Sequence, residues 1–308
     1  MKIFVAGGTG VLGRPVLGVL TAAGHRARAT ARGPAKADLV RSLGGEPADL
    51  DLYDPDALRR GVAGCDAVVR LTTKIPPLRQ MRRRAAWAET NRLRTVGARL
   101  LVDAAIAERV PVYIHESITF VYADGGAGWL NEDAYVDDGG TPIIRAVLEG
   151  EREAARFSQS GGRGVVLRFA GLYGPDAPST TDMVRMARRR MLPRLGDGTH
   201  YFSSIYVPDA ARAVAAALDV AAGVYNVCDD GPVPLAEYLA LLAAAAGAPA
   251  PVRLPAWFGP WIFGDVWTYF SRSQRVSNGR FTKASEWTPA VKDVSQGWSL
   301  VAASLGSG

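Results

Sequence analysis

The sequence predicts an α/β protein with a doubly wound parallel sheet and a smaller carboxy-terminal lobe. Three observations predict this class. Apolar runs alternate with amphipathic stretches over residues 1–170, and glycines follow the first run. After Gly174-Pro175 the segments become shorter and prolines and aromatic residues more frequent. Parallel strands need a crossover connection, commonly a helix, so a β-α-β-α alternation favours a parallel sheet with helices on both faces.

The elements follow in chain order. The short apolar or β-branched runs are predicted strands: Ile3–Ala6, Arg26–Ala31, Ala67–Leu71, Val112–Glu116 and Gly164–Phe169. The amphipathic stretches between them are predicted helices: Val11–Ala23, Ala35–Leu43, Ala88–Glu108 and Pro142–Ser160. We expect a later helix, Val207–Val220, and a strand, Val224–Val227, to return to the main sheet. Residues 1–170 with 207–228 are therefore assigned to one domain, and residues 171–206 and 229–308 to the smaller lobe.

Composition excludes several classes of protein. With 21% charged and 48% apolar residues, the 308-residue chain is not disordered. Its two cysteines, Cys65 and Cys228, exclude a disulfide scaffold, and three scattered histidines argue against a metal site. No apolar run reaches the roughly 20 residues of a membrane span. The opening strand leaves no room for a signal peptide, so we expect a cytoplasmic protein with no membrane partner.

The formal charge of +6 comes largely from two arginine runs, Arg82-Arg83-Arg84 and Arg188-Arg189-Arg190. No nucleic-acid-binding module accompanies them, so we expect no nucleic-acid partner. They are interpreted as solvated helix faces or as part of an anionic ligand site. The aromatic stretch Trp257–Phe270 fits the core of the lobe, the face of a homodimer, or a wall over an apolar substrate.

A glycine-rich turn joins the first predicted strand to the first predicted helix. Glycines there allow a tight turn, a close approach of a pyrophosphate to the backbone, and close helix–strand packing. The helix N-terminus offers free N–H groups to phosphates. The spacing predicts a Rossmann-type dinucleotide site formed by Gly7, Thr9, Gly10, Val11, Leu12 and Gly13.

The end of the second predicted strand indicates which dinucleotide binds. An enzyme that selects NAD places an acidic residue there, to accept from the ribose 2′-hydroxyl. This chain has Arg32 instead, with Lys36 as a second cation, and a guanidinium pairs with a 2′-phosphate. We therefore predict NADP(H) as the cofactor. Asp49 can accept from the adenine amino group while Leu50 packs on the ring, or Asp49 can cap a helix.

With these motifs, the chain resembles the extended short-chain dehydrogenase/reductases, the family of NAD-dependent epimerases and dehydratases. Gly7–Gly13 is similar to the family's nucleotide fingerprint and Gly64–Val69 to its fourth strand. Leu167–Pro175 resembles the segment that passes beneath the nicotinamide, and this implies coenzyme contacts for Phe169 and Leu172. Ligands of this fold bind beyond the carboxyl ends of the strands, so we also expect contacts from Leu71, Thr72 and Thr73.

The family's chemistry uses a Ser or Thr, a Tyr and a Lys to orient the substrate and move its proton. The resemblance places Ile118 at the hydroxyl position, Ile143 at the tyrosine and Val147 at the lysine. An aliphatic side chain cannot transfer a proton. The chain therefore resembles an atypical member that lacks the Tyr-x-x-x-Lys pair.

Four other residues are candidates for catalysis. Ser117 and Thr119 are predicted to share one face of the fifth strand, Tyr122 follows them, and Lys74 lies in the loop after the fourth strand. A purely structural role stays open for each. The leading hypothesis is an NADP(H)-dependent oxidoreductase of a small-molecule carbonyl or enone, such as a polyketide-like compound. The alternatives are a non-redox isomerase, epimerase, dehydratase or cyclase, and a non-catalytic NADP(H)-sensing protein.

Overall fold

The computed structural model describes residues 1–306 and is built from short strands and helices. The strands are β1 Lys2–Ala6, β2 Arg26–Thr30, β3 Glu46–Ala48, β4 Ala67–Arg70, β5 Val112–Ile118, β6 Trp129–Leu130, β7 Arg163–Phe169, β8 Gly171–Tyr173, β9 Pro193–Leu195, β10 Tyr201–Phe202, β11 Ser204–Tyr206, β12 Gly223–Val227, β13 Val233–Pro234, β14 Val252–Leu254 and β15 Arg275–Val276. The helices are α1 Gly13–Ala22, α2 Pro34–Ser42, α3 Pro55–Val62, α4 Ala88–Arg92, α5 Ala98–Ala107, α6 Pro142–Gln159, α7 Pro178–Arg188, α8 Val207–Ala216, α9 Leu235–Ala245, α10 Gly259–Phe263, α11 Trp267–Phe270, α12 Gly279–Ser285 and α13 Val294–Gly306.

Seven strands form the central sheet in the order β12-β7-β5-β4-β1-β2-β3, and all their pairings are parallel. The chain runs outward from β1 to β3 on one side and from β4 to β12 on the other. The strand order therefore reverses between β1 and β4, and ligands of this class of sheet bind at that reversal. The predicted Rossmann-type α/β sheet is confirmed, and β12 pairs with β7 at its edge.

Both faces of the sheet are covered by helices, because successive side chains of a strand point to opposite faces. In β1, Ile3 and Val5 join a core that includes residues of α1 and α8, whereas Phe4 and Ala6 join a second core that includes residues of α3, α5 and α6. A third cluster, built around the buried Tyr173 and Trp298, lies in the carboxy-terminal half.

Two features differ from the expected elements. The predicted helix Ala88–Glu108 is divided by a π-helical turn over Leu93–Gly97. The helix α3, which was not expected, begins at Pro55. It is capped by Asp54, whose carboxylate accepts from the backbone N–H groups of Asp56 and Ala57 at 3.0 and 3.1 Å. Asp54 rather than Asp49 is therefore the capping residue.

Within residues 1–306, every helix is too short or too polar to cross a lipid bilayer.

Candidate active site: a coenzyme cleft beside an apolar cluster

The glycine turn is shaped by contacts that only glycine allows. Gly7 has φ +94°, and a Cβ at this residue would lie 2.7 Å from the carbonyl oxygen of Leu71. A Cβ at Gly13 would lie 2.1 Å from the carbonyl oxygen of Gly7, so α1 begins directly against the turn. Gly10 N donates to Gly7 O at 3.0 Å, and Gly7 N donates to Thr30 Oγ1 at 2.9 Å. The turn is thus held close to the ends of both β1 and β2.

The first turn of α1 is available to an anion. Leu12 precedes α1 and has no side chain that can cap the helix. Arg14 N donates to Gly10 O at 3.1 Å and Pro15 has no N–H, so Gly13 offers the open N–H group of the first turn. Gly10 is exposed, and Thr9 and Val11 are half-buried beside it. Backbone N–H groups and the positive end of the helix dipole stabilise phosphate at such a terminus. These residues therefore fit the pyrophosphate of a dinucleotide.

The end of β2 presents two cations. Arg32 and Lys36 are both exposed, and neither forms an ion pair with a residue of the described chain, 1–306. Asp49 is exposed directly after β3, while Leu50 is half-buried and packs toward the second core. The structure therefore leaves Arg32, Lys36 and Asp49 accessible to a ligand.

The predicted nicotinamide side lies around the end of β4. Leu71 N donates to Ala6 O at 2.8 Å, and Thr72 is buried while Thr73 is half-buried. Phe169 is fully buried in the same core as Leu71. Leu172 is half-buried on β8.

The three positions that the resemblance assigns to the family's acid–base residues lie in one apolar cluster. Ile143 and Val147 of α6 are buried, and Ile118 packs against them at the end of β5. The rest of this apolar cluster comes from neighbouring elements: Trp87, Val121, Ile144, Val266 and Tyr269, with Met81, Phe120, Val136, Leu148, Phe263 and Phe270 at its edges. All three positions, Ile118, Ile143 and Val147, therefore carry aliphatic side chains that cannot transfer a proton.

Tyr122 is buried, and its hydroxyl has partners within the fold. Its hydroxyl donates to Asn226 Oδ1 at 2.8 Å and accepts from Arg168 Nη1 at 3.0 Å, and the residue has 0% exposure. Burial raises the pKa of the phenol, against the nearby charge of Arg168. Because the hydroxyl is satisfied inside the fold, the geometry argues against the expectation that Tyr122 supplies the proton.

The buried hydrogen-bond network continues from Arg168 to Ser117. Arg168 donates to Glu151 through two nitrogens, at 2.6 and 2.8 Å, and Ser117 Oγ donates to the same carboxylate at 2.5 Å. Ser117 is thus directed at α6 and held there. β5 ends at Ile118 and a 3₁₀ turn begins at Thr119, so strand alternation does not place Ser117 and Thr119 on one face.

Thr119 and Lys74 stay predictions. Thr119 is 1% exposed at the start of its turn. Lys74 has an exposed side chain, and its backbone carbonyl accepts a hydrogen bond from the Thr90 hydroxyl.

Sequence reasoning misses a buried pair of arginines next to the apolar cluster. Arg70 is fully buried at the end of β4, with Nη1 3.8 Å from Glu116 Oε2, and donates to the carbonyls of Thr72 and Leu93 at 3.0 and 2.9 Å. Arg94 is buried in the π-helical turn. Burial raises the pKa of Glu116, although both arginines oppose that shift. Arg70 ends an otherwise apolar strand, and this pattern in the sequence could have predicted a buried charge.

The comparisons with known proteins agree with this geometry. The NAD dependent epimerase/dehydratase family matches residues 3–228. The chain belongs to this family. A relative named 3-diazoavenalumate denitrifying reductase, from a Streptomyces species, is 35% identical over 302 residues, which are 94% of this chain and 96% of that protein.

Two further proteins show the range of the similarity. A ketoreductase of Stigmatella aurantiaca, named for 4-hydroxy-2-methyl-3-oxo-4-farnesyl-3,4-dihydroquinoline-1-oxide, is 29% identical and covers 82% of this chain and 75% of its own. The crystal structure of human epimerase family protein SDR39U1 with NADPH has a TM-score of 0.81 at 22% identity, covering 98% of this chain and 99% of that one, and shows the shared fold. The expectation of a nicotinamide-dependent oxidoreductase of the atypical short-chain type is confirmed.

Proposed function

We propose that the protein is an NADPH-dependent reductase of a conjugated small molecule whose acceptor group is reduced without a proton from a Tyr and Lys pair. One observation carries the proposal. The positions that the resemblance assigns to the family's acid–base residues, Ile118, Ile143 and Val147, lie in an apolar cluster, while the glycine turn keeps the close backbone contacts that a dinucleotide site uses. The binding half of the site is retained and the proton-transfer half is replaced.

The preference for NADPH rests on Arg32. It is exposed after β2, where an NAD-selective enzyme has an acid, and Lys36 follows in the first turn of α2. A guanidinium paired with a 2′-phosphate forms charge-assisted hydrogen bonds that the 2′-hydroxyl of NADH cannot replace.

We infer that the acceptor is a diazonium group on a conjugated ring, because its reduction by hydride needs no proton. The Streptomyces relative is named as a denitrifying reductase of a diazo compound. When bound, the reduced coenzyme supplies a hydride, and a diazonium group that receives one is converted to N₂ and a C–H bond with no proton required. The apolar cluster around Ile143 and Val147 contributes by excluding water from a reactive group.

Reduction of a ketone or enone is the second candidate, and the Stigmatella ketoreductase favours it. This reaction places negative charge on an oxygen that must then be protonated. Lys74 is the exposed ammonium in the loop after β4. Thr119 is a hydroxyl next to Ile118, whereas Ser117 on the other side of Ile118 is held by Glu151. In this reaction, Lys74 or Thr119 is the proton source.

We further infer a cytoplasmic and biosynthetic setting with a small molecule as the partner. The two cysteines, Cys65 and Cys228, are free and buried, which is usual where thiols stay reduced.

The test is turnover of matched substrates by the purified protein. An arenediazonium carboxylate, the corresponding aryl enone and ketone, and a UDP-sugar are each incubated with NADPH or NADH, with enzyme-free controls. We expect NADPH loss equal to N₂ release from the diazonium compound, and the same rate in H₂O and D₂O. Product without NADPH loss indicates an isomerase or cyclase, and coenzyme binding without any turnover indicates a sensor; either result contradicts the proposal.

A further inference from the structure

A surface depression lies where the loop after β4 meets the segment around α10. It has a volume of about 520 Å³ and is lined by Arg82, Arg83, Pro260, Trp261 and Gly264. The sequence places the basic loop and the aromatic stretch more than 170 residues apart, so only the fold brings them together. We call this depression the arginine–tryptophan mouth.

Two contacts hold the mouth in shape. Arg84 donates to both carboxylate oxygens of Asp265, at 2.7 and 3.1 Å, and so ties the loop to the carboxy-terminal segment. Gly264 has φ +59°, and a Cβ there would lie 2.9 Å from the backbone oxygen of Arg82. The loop therefore packs backbone to backbone on the residue that follows α10, which makes the mouth a built feature of the fold.

The mouth adjoins the apolar cluster. A small cavity of about 20 Å³ is lined by Arg82 and Arg84 together with Trp87, Asn91 and Ile143. Arg82 lines both spaces, and Ile143 stands where the family has its tyrosine. The mouth therefore lies beside the cavity that Ile143 lines.

The side chains that line the mouth have unused binding capacity. Arg82 and Arg83 are exposed, and neither guanidinium has an ion-pair or hydrogen-bond partner among residues 1–306, in contrast to Arg84. Trp261 is 77% exposed, which is unusual for so large an apolar side chain. Two free guanidiniums beside an exposed indole match a ligand that joins a carboxylate to a flat ring.

We propose that the arginine–tryptophan mouth selects the substrate by binding the carboxylate of a planar conjugated acid to Arg82 and Arg83, with its ring against Trp261. This inference rests on the proposed reductase function and names its substrate class. The reacting end of the acid faces the side of the mouth where Arg82 also lines the cavity that Ile143 reaches. A bidentate contact between guanidinium and carboxylate sets the distance from the acid group to the reacting end.

Calorimetric binding to the NADP⁺-loaded protein tests the inference without requiring turnover. The probes are cinnamate and its uncharged methyl ester. We expect cinnamate to bind at least about tenfold more tightly than the ester, and the Arg82→Ala/Arg83→Ala variant to lose that difference. Arg79→Ala is the matched control, because Arg79 is exposed in the same loop but does not line the mouth; its affinity should stay within about twofold of the parent.

Trp261→Ala should weaken cinnamate and the ester alike, and melting temperatures establish that each variant is folded. Equal affinity for acid and ester, or unchanged binding by the double variant, overturns the inference. The inference is also overturned if cinnamate fails to bind the parent protein and UDP-glucose binds it but not the double variant, because the arginines then bind a sugar nucleotide. If cinnamate binds through Arg82 and Arg83 but no substrate consumes NADPH, the mouth stands and the proposed function fails.

Discussion

Replacement of Tyr122 by Phe separates a structural role from a catalytic one. The variant removes only the hydroxyl, which donates to Asn226 and accepts from Arg168. Arg168 keeps its two bonds to Glu151, so no buried charge loses its counter-ion. Leaving the amide oxygen and one guanidinium N–H unsatisfied costs about 1–3 kcal/mol.

This cost converts to a shift in melting temperature. An unfolding entropy of about 2.1 cal/mol/K per residue, over 308 residues, is about 0.65 kcal/mol/K. Tyr122→Phe should therefore lower Tm by roughly 2–5 °C. The turnover number of the folded variant should be unchanged, because the hydroxyl is enclosed in the core.

Thermal denaturation and NADPH oxidation are measured on the same preparations. Tyr135→Phe is the control, since Tyr135 is 77% exposed and its variant should stay within about 0.5 kcal/mol of the parent. A general acid contributes about 100- to 10,000-fold to the rate. A loss of that size with an unchanged Tm would show that Tyr122 is the proton donor and that the reasoning from burial is incorrect.

Three further predictions concern coenzyme and stability. Arg32→Ala should raise the Kd of NADPH by about 10- to 100-fold in titrations and leave the Kd of NADH nearly unchanged. The control Arg41→Ala should leave both Kd values nearly unchanged. An equal loss of affinity for both coenzymes in Arg32→Ala contradicts the role of Arg32. Gly13→Ala should abolish coenzyme binding, because its Cβ would meet Gly7 O, whereas Gly18→Ala in the same helix has open space and should raise stability by about 0.5–1 kcal/mol. Burial raises the pKa of Asp229 to about 7 from 3.8, so the folded state holds that proton more tightly, and the resulting stability is lost as pH rises from about 4 through about 7. Asp229→Asn should therefore gain stability relative to the parent over that range, by about 4 kcal/mol at most, and the gain should stay constant at higher pH in thermal melts; a pH-independent difference contradicts the assignment.

The coenzyme half of the site could be predicted from the sequence because its chemistry is local. Gly7 to Gly13 are contiguous, and the turn they form depends on backbone freedom and on one adjoining helix. Arg32 follows its strand directly, so its position needs only the strand boundary. The predicted strands agree with the structure to within two residues, with β5 extending to Ile118.

The catalytic half could not be predicted to the same depth. Tyr122 is buried by partners 46 and 104 residues away, and no local pattern indicates such contacts. Arg94 lies in a π-helical turn, which an analysis based on a helical period of 3.6 residues does not predict. The pairing of Arg70 with Glu116 depends on two strands becoming neighbours.

The sequence by itself determined that this protein has a dinucleotide turn, a basic residue after the second strand, and no Tyr-x-x-x-Lys pair. Only the tertiary structure decided that Ile118, Ile143 and Val147 lie in one apolar cluster. Val266 and Tyr269 from the carboxy-terminal half belong to the same cluster. It also decided that two free arginines and an exposed tryptophan share one depression. The physical reason is that residue identity and local backbone geometry are properties of short segments, whereas burial and enclosure depend on which distant segments pack together.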